Sequence, residues 1–134
     1  MAFVAPYQEI PEEFSLMELI EFQKLMSEHS GLTKVQSTEA YSSIASLFGL
    51  DVHSQKLIRD YSTGMRQKAK FVLAFGSGRP IWLLDEPGAN LDAASNRILQ
   101  QFLLDHSNEK LIIMASNEPS EISIGRSLIH LGGS

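Results

Sequence analysis

IWLLDEPGANLD, residues 81–92, decides how the rest of the chain is read. Four consecutive apolar residues bounded by turn formers fit a fully buried strand in the middle of a parallel sheet. Two acids, Asp85 and Glu86, follow at its carboxyl end, then Pro87 and a turn holding a third acid, Asp92. Open parallel sheets bind ligands just beyond the carboxyl ends of their strands, so this is where a functional acid would stand. An acid that merely caps the following turn accounts for the same letters, and this stretch alone does not separate the two.

Upstream, YSTGMRQKAK (residues 61–70) opens a helix that runs from about Thr63 to Phe75 and closes at GSGRP. A helix N-terminus offers unpaired N–H groups and the positive end of the macrodipole, so Ser62 beside Gly64 makes an anion seat. Ser62 would equally serve as the N-cap of its own helix, and both roles are compatible. Downstream, DAASNRILQQFLLDHS reads as a helix, LIIMAS as a buried strand and RSLIHL as a short last strand. This alternation implies crossover connections and a parallel sheet.

At the start, AFVA is a short strand stopped by Pro6. Leu16, Leu19, Ile20, Phe22 and Met26 recur at helical spacing over Ser15–His29 and are expected in a core, with Ser15 and Glu18 forming a capping box. Thr38 is expected to cap a second helix ending at Gly49, and a short third helix is expected over 54–59. The chain thus divides into residues 1–13, a strand and loop; 14–60, an all-helical subdomain; and 61–134, the α/β part.

Composition narrows the function. The formal net charge of −5 lacks the basic face that nucleic-acid binding needs, so no nucleic-acid partner is expected. There is no cysteine, which removes disulfides and thiolate metal sites and fits a reducing compartment. The apolar runs are far shorter than the roughly 20 residues of a membrane span. His29, His53, His106 and His130 show no ligand spacing, and Trp82 is expected in the core.

With these pieces in order, the sequence resembles the ATP-binding cassette (ABC) ATPases over essentially its whole length. Tyr61-Ser62-Thr63-Gly64-Met65 resembles the signature motif, IWLLDEP resembles Walker B, and Ala89-Asn90-Leu91-Asp92 resembles the D-loop. Ser62 precedes Asp85 by 23 positions, the family's usual interval. The opening strand with PYQEIPEEF resembles the Q-loop region, and LIIMASNEP the strand leading to the switch residue. The signature variant and the VAPYQEIPEEFSL stretch are similar to ABC-2-type exporters.

The resemblance implies a fold class and roles. The fold would be α/β, a partial P-loop NTPase (RecA-like) parallel sheet with helices plus an inserted helical subdomain. Asp85 would hold Mg²⁺, through water, and Glu86 would be the general base on the attacking water. Ser62, Thr63, Gly64 and Met65 would cradle the γ-phosphate of ATP held by the other subunit of a head-to-tail dimer, and Asp92 would couple the two sites. Asn117 stands at the switch position, where the family has His, and its amide donates hydrogen bonds without becoming cationic. Pro6 falls where the Q-loop Gln is expected, with Gln8 two residues later. Residues 14–60 would meet a membrane-spanning transporter subunit, leaving the protein cytoplasmic and peripheral on the membrane's inner face.

No G-x-x-x-x-G-K-S/T occurs. The expectation is a C-terminal part of an ABC ATPase subunit, inactive alone for want of the loop that binds the β- and γ-phosphates. A further expectation is that the Walker B strand loses a sheet neighbour, exposing a ladder edge and favouring self-association. A competing reading is a catalytically silent module that docks on a membrane partner or an intact ATPase. A chromosome-maintenance ATPase lobe would need long heptad coiled coil, and the sequence has none.

Overall fold

The computed structural model describes residues 1–30, 36–116 and, as backbone, 128–130. They form two compact units, one of residues 1–8 with 80–134 and one of residues 9–79. The sequence-based division at 60/61 falls elsewhere: the helix after Ser62 packs with the helical unit.

In the sheet unit, strands β1 (Ala2–Val4), β2 (Ile81–Asp85), β3 (Leu111–Ala115) and β4 (Leu128–His130) lie in that order and all neighbours are parallel. Val4 pairs with Leu84, Leu84 with Met114 and Met114 with His130, so one register row crosses all four strands. Helix α4 (Ala93–His106) connects β2 to β3. The Trp82 indole lies against the Phe102 ring of α4, with centroids 5.6 Å and planes 6° apart.

Two expectations about the central strand change. β2 is flanked on both sides, by β1 and β3, and loses no neighbour; among the described residues the outer strands are β1 and β4. Nor is it fully buried: Trp82 and Leu84 are, whereas Ile81, Leu83 and Asp85 are half-buried. Side chains along a strand alternate between faces, and only the Trp82–Leu84 face is closed.

In the helical unit, α1 (Leu16–Ser30), α2 (Thr38–Leu47), a single 3₁₀ turn (Ile58–Asp60) and α3 (Thr63–Gly76) share one core. Leu16, Leu19 and Ile20 of α1 meet Tyr41 and Ala45 of α2 and Ala69 and Val72 of α3. The capping box forms: Glu18 N–H donates to Ser15 Oγ at 3.3 Å, and Ser15 N–H to Glu18 Oε1 at 3.1 Å.

Phe22 and Met26, expected inside, are 62% and 53% exposed. The buried stripe continues from Leu16, Leu19 and Ile20 to position 23, where Gln23 Nε2 donates to Tyr41 Oη (2.9 Å) and to the Leu73 carbonyl (2.7 Å). A polar residue thus takes the i+7 place of the stripe and turns its apolar neighbours outward. Thr38 does not cap α2. Ser37 holds the cap position without a side-chain bond, and Thr38 Oγ1 accepts from Lys24 Nζ at 2.8 Å. The expected helix over 54–59 is reduced to the 3₁₀ turn. Gly49 has φ +77° just past α2, the left-handed conformation that glycine permits most easily.

Candidate functional site

Asp85 ends β2, half-buried, and the chain leaves the sheet at Glu86. The Glu86 N–H donates to the Ala115 carbonyl at 2.8 Å, which extends the β2–β3 ladder by one bond. Its φ is +44°, left-handed for a residue with a β-carbon, a conformation that costs about 1–2 kcal/mol. From Glu86 the chain runs through a turn closed by Ala89 N–H to Glu86 O (3.0 Å), with Asn90 at φ +67°.

The exposed Asp92 ends this turn as the N-cap of α4, its Oδ1 accepting from Ser95 N–H at 2.7 Å. A carboxylate at that place satisfies an orphan amide and sits favourably on the helix dipole. The D-loop-like segment is therefore pinned at both ends, by the sheet bond of Glu86 and by the cap of Asp92.

The loop after β1 brings a residue that the sequence reading passed over. Gln8 N–H donates to the Ala5 carbonyl at 3.2 Å, closing a turn over Ala5-Pro6-Tyr7-Gln8. The pKa of the exposed Tyr7 phenol is raised above its usual 10.0 by the Asp85 side chain, chiefly through hydrogen bonding, with desolvation and the Asp85 charge acting the same way. The Tyr7 ring sits beside Phe3, centroids 6.3 Å apart. Gln8, the residue proposed from sequence for this loop, has a buried Oε1 that accepts no hydrogen bond among the described residues. Register was the available signal: pairing of Val4 with Leu84 carries the residues just beyond β1 alongside Asp85.

The signature-like segment belongs to the helical unit. Ser62 is exposed and caps α3, its Oγ accepting from Met65 N–H at 3.1 Å. The N–H groups of Thr63 and Gly64 lie in the first turn, where no intrahelical acceptor exists. A serine hydroxyl that accepts a cap bond still has its own proton to donate, so capping leaves a donor at the helix tip. Arg66, one turn on, is held by Glu12 Oε1 (2.9 Å) and by the Arg59 carbonyl (3.0 Å). Asn117 lies outside the described residues.

Among the described residues no group of three or more His, Cys, Asp or Glu side chains could hold a metal. A divalent ion at Asp85 would draw its other ligands from water and phosphate, as Mg²⁺ commonly does. A half-exposed carboxylate at a strand end fits that donor set. Among the described residues no helix is long and apolar enough to cross a membrane.

The chain is similar to known proteins in sequence and in fold. The chain is 38% identical over 65 residues to the cytochrome c biogenesis ATP-binding export protein CcmA of Xylella fastidiosa, a match covering 48% of the chain and 29% of that protein. It is 31% identical over 116 residues to ABC transporter A family member 4 of Dictyostelium discoideum, covering 84% of the chain and 7% of the relative. With ABC transporter I family member 1 of Arabidopsis thaliana it shares 28% over 114 residues, covering 84% of the chain and 46% of the relative. The chain spans less than half the length of each of these relatives.

Among solved structures, the ATP-binding subunit of an ABC transporter superposes with a TM-score of 0.71 at 20% identity, covering 97% of the chain and 48% of that subunit. An ABC transporter ATP-binding protein of Pyrococcus furiosus gives 0.70 at 18% identity, covering 96% and 61%. At these identities the likeness is one of fold. No protein-family model matches the chain.

Proposed function

We propose, from the premise that the chain matches part of an ABC-transporter ATP-binding subunit in sequence and in fold, that it supplies the signature and Walker B portions of an ATP-hydrolysing site. The observation that carries this reading is the placement of Asp85 and Glu86 at the carboxyl end of a strand flanked on both sides by parallel neighbours. In this reading Asp85 takes Mg²⁺ through water, and the ion would neutralise charge on the nucleotide phosphates. Glu86, aimed by its left-handed backbone, orients the attacking water and accepts its proton. Asn117 donates to phosphate, and Gln8 with the rest of the β1 loop senses the occupied site.

Ser62, Thr63, Gly64 and Met65 offer the amides and hydroxyl of the α3 tip to the γ-phosphate of ATP bound by a second ATPase subunit in a head-to-tail dimer. Asp92 couples the two sites through the turn it anchors. Residues 14–60 dock on a membrane-spanning transporter subunit, which would hold the protein peripherally at the cytoplasmic face. The sequence contains no P-loop motif, so the chain alone is proposed not to turn ATP over. The same fact favours the second reading, a silent docking module.

The test mixes the chain with the P-loop-bearing N-terminal segment of a relative and measures Mg-ATP binding and turnover. Turnover that neither piece has alone, and that Glu86→Gln removes, is expected. A complex that binds Mg-ATP yet behaves identically with Glu86→Gln identifies the silent module instead.

A further inference from the structure

We propose that a groove along α1 receives one short amphipathic helix of a partner protein, apolar on its buried face and carrying Lys or Arg along its flanks; this rests on the reading of residues 14–60 as a docking region. The groove measures about 530 Å³ and lies wholly within the helical unit. Leu19, Phe22 and Leu25 follow one another at three-residue steps on α1, and Pro11 and Phe14 come from the loop before it. Leu19 is buried, while Phe14, Phe22 and Leu25 are 40%, 62% and 51% exposed. Single exposed apolar residues need no explanation, whereas several that line one groove mark an interaction surface. The loop side is already held in place. Ile58 N–H donates to the Phe14 carbonyl at 2.9 Å, Arg59 N–H to the Glu12 carbonyl at 3.0 Å, and Arg66 Nη1 to Glu12 Oε1 at 2.9 Å. A groove fixed in this way loses little freedom when it is filled, which lowers the cost of binding.

Backbone chemistry selects a helix as the occupant. An extended peptide binds by adding to a sheet edge, and all four strands belong to the other unit. The helical unit has, among the described residues, only the isolated bridge of Ser15 with Leu57. An occupant here must satisfy its own N–H and C=O groups, as a helix does. Charge selects its flanks. The charged side chains lining the groove are Glu18 and Glu21, both exposed, and the loop before α1 adds exposed Glu9 and Glu13. Glu18 accepts one bond from Ser15 N–H, and an ionised carboxylate has further lone pairs for a cation. Such a rim attracts Lys and Arg and repels acidic surfaces. An anionic lipid leaflet is disfavoured by the same charges, which add to a net −5 over the chain. Two copies meeting through this face would set Glu18 and Glu21 against like charges.

The test titrates two synthetic helix-forming peptides into the full chain, alike in their leucine face but flanked by lysine in one and by glutamate in the other. Calorimetry gives Kd and amide shifts give the place of binding. Phe22→Ala, Leu25→Ala and Glu21→Lys change exposed residues, and circular dichroism melting confirms that each folds as the wild type does. The lysine peptide is expected to bind with shifts centred on the groove, and each alanine variant to weaken it about 10-fold. The glutamate peptide is expected to bind at least about 10-fold more weakly, and Glu21→Lys to narrow that gap. Equal binding of the two peptides, or a preference that Glu21→Lys leaves unmoved, overturns the proposal. Shifts centred on α2 and unaffected by Phe22→Ala overturn the groove while leaving residues 14–60 as a docking region, whereas no binding of either peptide overturns the groove as a helix site. Chain dimerisation in sedimentation equilibrium, or binding to vesicles of neutral and anionic lipid, overturns it in favour of that occupant if Phe22→Ala abolishes the effect.

Discussion

The Trp82 indole and the Phe102 ring lie 6° from parallel at 5.6 Å, tying the central strand to the helix that follows it. His106 extends the stack, its ring 4.3 Å from Phe102 and its Nδ1 2.8 Å from the Phe102 carbonyl. Lys110 Nζ lies 6.0 Å from the indole centroid, at the reach of a cation–π contact. Phe102→Ala is expected to cost about 3–5 kcal/mol, the usual range for emptying an aromatic site in a core. Trp82 is the sole tryptophan, so denaturant unfolding followed by its fluorescence reads the sheet unit directly.

The capping box of α1 makes a smaller, local prediction. Ser15→Ala removes the acceptor for Glu18 N–H and is expected to lower stability by about 1 kcal/mol. Amide exchange should quicken in the first turn of α1 and stay unchanged in α4.

Gly76 is required by space, since its φ is not left-handed. A β-carbon there would overlap Tyr41 Cδ1 and stand 2.9 Å from its Cε1 and Cγ. The Tyr41 ring is 2% exposed and its hydroxyl accepts from Gln23, so it has little room to retreat. Gly76→Ala is expected to destabilise by about 1–3 kcal/mol despite alanine's better helix propensity. Equal stability of the variant in urea would show that the ring moves.

Tyr41 also sets a pH response. Burial raises its pKa, with the Gln23 hydrogen bond and the Arg79 charge acting in the opposite direction. Below the usual phenol pKa of 10.0 both folded and unfolded chains carry the proton, and the contribution is constant. As pH rises above that value the unfolded chain ionises first, so stability falls until the folded phenol also titrates. Tyr61 is shifted the same way, chiefly by burial. Unfolding free energy measured across the alkaline range should therefore drop less steeply in Tyr41→Phe than in wild type, with part of the slope left by Tyr61.

What could be read from sequence is what a short window encodes. Ser15 with Glu18, Ser62 before its helix and Asp92 before the next are local pairs, and each forms in the folded chain. The Ile81–Asp85 strand is equally local, and it ends at the acid as expected. The turn of Phe22 and Met26 to solvent depended on Gln23 finding partners on two other helices, which no period of apolar residues announces. Tyr7 and Asp85 stand at the carboxyl ends of β1 and β2, strands far apart in sequence, and only sheet register brings those ends level. The partners flanking β2 were misjudged for the same reason, because strand order is a property of the whole sheet.

That distant pairing governs when the protein can assemble. Residues 2–4 leave the ribosome well before their ladder partner at 82–84, which follows the whole of residues 9–79, a unit with its own core. Helices built from neighbouring contacts close quickly, whereas a parallel ladder across so long a loop must wait for the loop entropy to be met. Nascent chains should therefore hold a folded helical body while the acid-bearing sheet is still unmade, and strand β1 stays exposed to chaperones throughout that interval.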